Sequence, residues 1–283
     1  GKPMVKNIVK NGYEVIVFDF NQSAIDEVVS AGAHAAESGA KVAEAAEVII
    51  TMLPNSPNVE AALFNPGGIA EGLSAGKTVI DMSSIAPKAS QDFAARLKEQ
   101  GVHFIDAPVS GGEPKAIDGT IAVMVGGEKA VFEKYEALLK TMASSVTRVG
   151  EVGAGNITKL ANQMIVAINI AAISEAYCLA KKAGVSPEAV YQAIRTGLAG
   201  STVMDQKSEK IFSGNFDPGF RIELHIKDLQ NALDTSHDSN VSTPFTASAM
   251  EIMQSLKAYG LEKRDHSAIA NYYETINDLK LQG

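Results

Sequence analysis

Cysteine is nearly missing from this chain: Cys178 is the only one in 283 residues. A single thiol excludes an internal disulfide framework and any metal site built from cysteines. It lies in an apolar helical stretch, so it reads as a buried, inert thiol, and the protein as one of a reducing cytoplasm. Histidine is also sparse. His34, His103, His225, His237 and His266 form no H-x-x-x-H pair, so no metal site is expected. Positive charge is in deficit, with 25 Lys and Arg against 33 Asp and Glu and a net charge of −8. Without a basic face no nucleic-acid partner is expected, although a few local cations can still bind a small anion. No apolar run reaches the length of about 18 residues that a membrane span needs, no signal peptide opens the chain, and no membrane partner is expected. Internal repeats and low-complexity stretches are absent too.

What is present is an ordinary globular composition, 46% hydrophobic and 20% charged, with enough length for two domains. Up to about residue 150, short β-rich runs alternate with helical patterns. The runs are Glu14–Asp19, Val48–Met52, Thr78–Met82, Val102–Asp106, Ile121–Gly126 and Ser145–Val149. Near-continuous apolar strands separated by helices predict an α/β unit, a mostly parallel sheet covered on both faces. After Gly150 the strands stop. Helices are expected from Gly153 to about Ala183, behind Ser186-Pro187, and over Thr202–Phe212, Ile222–His237, Pro244–Tyr259 and Asp265–Leu279. The expected organisation is a Rossmann-like domain at 1–150 and an all-helical domain at 151–283. The long helix Asn156–Lys182 is apolar almost all round, which predicts burial on several sides and contact with a second subunit.

In a doubly wound sheet a dinucleotide lies across the carboxyl ends of the strands, and the first turn carries G-x-G-x-x-G. Gly1 reads as the third of those glycines, ahead of a helix over Lys2–Asn11. The first strand and two glycines are then expected upstream in a longer protein, and the pyrophosphate turn is incomplete without them. Asp19 ends the run EVIVFD, about 20 residues after that turn, where an acid accepts from ribose hydroxyls and repels a 2′-phosphate. Either it serves NAD in that way or it is a solvated strand end. Leu53-Pro54 and Ser84 lie in polar loops after two later strands, on the edge that faces a cofactor. For Ser84 the alternative is capping of the next helix.

The segment DAPVSGG places Ser110, Gly111 and Gly112 after a strand. A hydroxyl and two unhindered backbone N–H groups suit a carboxylate; a plain glycine-rich turn is the other reading. In GAGNITKLANQ, two glycines open a helix and leave free N–H groups at its positive end. Lys159 follows, with Asn162 and Gln163 on its face at i+3 and i+4. An ammonium there could polarise a carbonyl and donate a proton to the forming alkoxide, the amine serving in reverse. A surface lysine in the first turns of a helix is the alternative. His225-Ile226-Lys227-Asp228 is a further polar cluster, with Lys227 either aimed at a site or part of a solvated face.

Together these residues resemble the β-hydroxyacid dehydrogenase family. The matches are DAPVSGG (106–112), GAGNITKLANQ (153–163) and HIKDLQNALD (225–234). TMLPNSPNV, DMSSIAPKAS, GGEPKAIDGT and YQAIRTGLAGST are similar to its bacterial members acting on tartronate semialdehyde. The resemblance implies a Rossmann-like domain then a helical one, and NADH-dependent reduction of 2-hydroxy-3-oxopropanoate to D-glycerate. It makes Lys159 the catalytic residue, and Ser110, Gly111, Gly112, Asn162 and Gln163 substrate-binding. Gly1, Asp19, Leu53, Pro54, Ser84 and Lys227 fall at cofactor positions, with NAD as the cofactor. Gln163 departs from the Asn that several relatives carry. The alternatives are 3-hydroxyisobutyrate oxidation on the same machinery and a non-catalytic nucleotide-binding member. The expected partner is a small carboxylate-bearing aldehyde or hydroxy acid, and the expected assembly a homo-oligomer, dimer or tetramer.

Overall fold

The computed structural model describes residues 1–282 and resolves them into two compact units, Gly1–Lys159 and the residues from Leu160 onward. In the first unit the strands are β1 (Ile16–Val17), β2 (His34–Ala35), β3 (Val48–Thr51), β4 (Thr78–Asp81), β5 (His103–Asp106), β6 (Val109–Ser110), β7 (Ile121–Gly126) and β8 (Ala143–Gly150). β3, β4 and β5 run parallel and in register, so that Thr51, Asp81 and Asp106 form one row at the carboxyl edge. β7 joins antiparallel to β5 and β6 and parallel to β8.

The strands form because their β-branched and aromatic residues alternate between two apolar layers. Ile80 and Ile105 pack on one face with Val123, Leu139 and Met142. Val79, Phe104 and Ile49 pack on the other with Leu63, Phe93 and Leu97. Both faces are dry, as the unbroken apolar runs required.

The sequence expectation of one sheet needs correcting. β1 pairs only with β2, in a separate parallel ribbon. β1 is also shorter than the run EVIVFD, and Asp19 lies two residues beyond it. A two-stranded ribbon offers few ladder bonds to hold more residues extended. β6 escapes the sequence patterns because it is only two residues long.

The second unit is helical: the body of the helix Ala154–Lys182, then Pro187–Ile194, Thr202–Ser213, Ile222–Asp238, Pro244–Ala258, a 3₁₀ turn His266–Ala268 and Ile269–Ile276. The single expected helix over Asp265–Leu279 is therefore two pieces. Asp265 explains this: its side chain accepts from the backbone N–H and hydroxyl of Ser267, which tightens the first turn. The core holds Ile170, Tyr177, Ile211, Leu229 and Met253, and the Tyr177 hydroxyl meets Ser208 Oγ at 2.6 Å. Cys178 is buried there, and burial pushes its thiol up to about 11, so it stays protonated.

One further expectation changes. The helix Ala154–Lys182 is long and apolar enough to cross a membrane by length and composition, contrary to the expectation from sequence. Ala167, Ile170 and Tyr177 instead make it the core helix of the helical unit. On its other sides Ile165 is 64% and Leu179 72% exposed.

Candidate active site

The carboxyl edge of the first unit is organised by two buried acids. Asp81 Oδ1 accepts from Thr51 Oγ1 at 2.8 Å and from the Ser83 N–H at 3.1 Å. Ser83 Oγ in turn accepts the Leu53 N–H at 2.8 Å, and Ser56 Oγ the Ala86 N–H at 3.2 Å. The loops after β3 and β4, which carry Leu53-Pro54 and Ser84, are thereby drawn together. Capping is not what Ser84 does: the helix Pro87–Lys98 begins after Ala86, and no side chain caps it. Pro87 at its first turn needs no N–H partner.

Asp106, at the end of β5, reaches the start of the long helix. Its Oδ1 accepts from the Gly153 N–H and its Oδ2 from the Asn156 N–H, each at 2.7 Å. This corrects the expectation of free N–H groups at that helix end, because a carboxylate of the chain itself occupies them. Glycines are required for the approach: a Cβ on Gly155 would stand 2.5 Å from the Met124 carbonyl oxygen and 2.7 Å from that of Asp106. Burial pushes both Asp81 and Asp106 up to about 6, against the hydrogen bonds that favour their charged forms.

Asn156 is fully buried. Its Oδ1 accepts the Ile85 N–H at 3.1 Å and its Nδ2 donates to Ser90 Oγ at 3.1 Å. One turn further on stands Lys159, only 6% exposed. The surface-lysine reading is therefore wrong for this chain. Its burial follows from the capped, glycine-packed helix start, which seats that turn in the unit.

Ser110 pairs with Ala122 in the β6–β7 ladder and is half-buried. Gly111 has φ +138°, and a Cβ there would stand 2.9 Å from Lys115 Cβ, so the turn accepts little but glycine. Gly112, at φ +74°, opens the helix Gly112–Asp118. Gly1 precedes the helix Lys2–Lys10, beside Met52 at the end of β3: a Cβ on it would be 3.9 Å from Met52 Cβ. Asp19 is exposed and accepts the Asn21 N–H at 2.8 Å.

In the second unit the amides sit in a polar chain. Asn162 Nδ2 donates to Gln163 Oε1 at 2.8 Å, and Gln163 Nε2 donates to Asp228 Oδ2 at 2.6 Å. Lys227 Nζ pairs with Asp228 Oδ1 at 2.9 Å. His225 Nε2 lies 3.0 Å from the Gln163 carbonyl oxygen, which only accepts, so that nitrogen carries hydrogen. His225 and Asp228 are buried, which removes the solvated-face reading of this cluster.

Sequence reasoning included Asp81, Ser83, Asp106 and Asn156 only as parts of motifs and gave none of them a role of its own. The available signal was an acid ending each of two apolar strands, with Ser two residues after the first. No group of His, Cys, Asp and Glu able to hold a metal occurs among the described residues.

A parallel sheet whose carboxyl edge draws two loops together is the arrangement at which open α/β folds bind dinucleotides. The profile described as the NAD-binding domain of 6-phosphogluconate dehydrogenase matches residues 1–150. Residues 153–273 match the profile described as NAD-binding of NADP-dependent 3-hydroxyisobutyrate dehydrogenase. The chain belongs to the 3-hydroxyisobutyrate dehydrogenase family and is an NAD-dependent β-hydroxyacid dehydrogenase. It is 40% identical to 2-hydroxy-3-oxopropionate reductase of Escherichia coli, over 99% of this chain and 96% of that one. It is 38% identical to 2-(hydroxymethyl)glutarate dehydrogenase of Eubacterium barkeri, over 100% and 94%. Among solved structures, 3-hydroxyisobutyrate dehydrogenase of Mycobacterium tuberculosis superposes with a TM-score of 0.88 at 28% identity, over 96% and 94%.

Proposed function

We propose that the protein reduces tartronate semialdehyde (2-hydroxy-3-oxopropanoate) to D-glycerate, reversibly, with Lys159 as general acid and base. The observation that carries this reading is a lysine buried to 6% exposure on a helix start fixed by Asp106 and Asn156. An ammonium is costly to bury unless its charge is used.

The residues present fit a dinucleotide. Leu53-Pro54 and Ser84 lie in the two loops that Asp81 and Ser83 draw together, Gly1 stands at a helix start beside Met52, and Asp19 is exposed beyond β1. They would hold NAD along that edge, with Asp19 receiving the ribose hydroxyls. A nicotinamide held there would supply the hydride, or take it up in reverse. Lys159 donates a proton to the carbonyl oxygen as the alcohol forms, and its amine regains one from solvent. Ser110 and the N–H groups of Gly111 and Gly112 bind the substrate carboxylate.

The choice of substrate rests on the 40% identical relative and on the segments TMLPNSPNV and DMSSIAPKAS. A site that hydrogen-bonds a substrate hydroxyl rejects the methyl analogue by up to about 10⁴-fold. NADH oxidation with tartronate semialdehyde, methylmalonate semialdehyde and the aldehyde of 2-(hydroxymethyl)glutarate tests the assignment. The first should give the highest kcat/KM; a higher value for either of the others reassigns the substrate. The same reading includes a cytoplasmic homo-oligomer, supported by the exposed Ile165 and Leu179 and by the reduced Cys178.

A further inference from the structure

We infer that Asn156 is a positioning residue for the reaction, fixing the loop that carries Ser84 against the helix that carries Lys159. The inference rests on the role proposed for Lys159. Three observations support it, all within the first unit.

The first is that the carboxamide is fully used. Oδ1 receives the Ile85 N–H, directly after Ser84, and Nδ2 reaches Ser90 Oγ on the helix Pro87–Lys98. The Asn156 backbone N–H is held by Asp106 at the end of β5. One residue therefore ties the β4 loop, the helix behind it, the β5 edge and the long helix. The second is burial: Asn156, Ile85 and Ser90 are all without exposed surface, so water cannot replace a lost bond cheaply. The third is spacing. Lys159 is three residues after Asn156 in an unbroken helix, so the two stand on neighbouring positions of one face. A shift of the loop relative to that turn moves Ser84 against Lys159 directly. Since misplacement of reacting groups by about 1 Å can cost 10²-fold, such a latch acts on the rate more than on affinity.

The alternative is that Asn156 only holds the fold together. Asn156→Leu keeps the volume and removes both side-chain bonds, and Ser90→Ala removes one of them. The measurement is the single-turnover rate of NADH oxidation by tartronate semialdehyde, per folded molecule, beside the NADH Kd and Tm. Asn156→Leu should slow the single turnover by roughly 10²-fold and loosen NADH by less than about tenfold. Ser90→Ala should slow it by about three- to tenfold. A lower Tm with the wild-type single-turnover rate in Asn156→Leu overturns the inference. If Asn156→Leu does not fold, Ser90→Ala decides, and an unchanged rate there overturns it. Lys159→Ala serves as the control. If it alone loses rate, only the latch is refuted; if it keeps its rate, the mechanism behind the latch falls first.

Discussion

The two buried acids share the same upward displacement, to about 6, yet replacing each by its amide should have unequal consequences. Asp81 uses one oxygen: Oδ1 accepts both the Thr51 hydroxyl and the Ser83 N–H, and Oδ2 has no partner. Asparagine keeps both bonds through its carbonyl oxygen and places its NH₂ where nothing was bonded. Asp106 uses both oxygens, one for the Gly153 N–H and one for the Asn156 N–H. Either orientation of an amide there points an NH₂ at a backbone N–H. One bond to a charged group is lost, about 1.5–3 kcal/mol, and two donors are left facing each other. Both substitutions relieve the burial of a charge, and that contribution largely cancels in the comparison. Asp106→Asn should therefore be less stable than Asp81→Asn by about 2–4 kcal/mol. At roughly 2–4 °C per kcal/mol, this separates their melting temperatures by about 5–15 °C. Calorimetry at pH 8, where both wild-type acids are ionised, measures it. If Asp106→Asn melts at or above Asp81→Asn, the assignment of Asp106 as the anchor of the Lys159 helix is wrong.

The same two acids set a pH dependence. Their folded values lie above the ordinary 3.8, so the native state holds more protons than the unfolded chain between about pH 4 and 6. Stability from this source is complete below about 4 and is lost as pH rises through about 6, by up to about 3 kcal/mol per group. The melting temperature should fall between about pH 4 and 6.5, with a shallower fall in Asp81→Asn; equal slopes in the two proteins would rule out Asp81 as a source. Lys159→Ala should lower kcat by roughly 10² or more with the NADH Kd little changed, and Lys159→Arg should also be poor, since a guanidinium does not release a proton near neutrality. A near-normal rate in the alanine variant would remove the lysine from the chemistry. Asp19→Ala should narrow the preference for NAD over NADP; unchanged selectivity in steady-state kinetics with both cofactors would leave Asp19 as a surface acid.

The local code of the chain was sufficient for the elements. Apolar runs such as Ile121–Gly126 are strands because β-branched residues in sequence can bury both faces of a sheet. The helix start at Ser186 was legible because its side chain accepts from the N–H three residues on, a bond that needs no distant partner. Lys159 stood out as the charge on an apolar helix, and Ser110-Gly111-Gly112 as an open turn after a strand. Tertiary structure alone decided what those residues touch. The Asp106–Gly153 bond spans 47 residues and the Asn156–Ile85 bond 71, and no periodicity within a segment encodes a partner at that distance. The same long-range contacts turned Lys159 from a surface possibility into a buried group, and made the glycines ahead of it close-packing positions instead of an open anion site. Sequence specifies where the chain bends and which side is apolar; register between strands and the packing of loop against helix determine which polar groups meet.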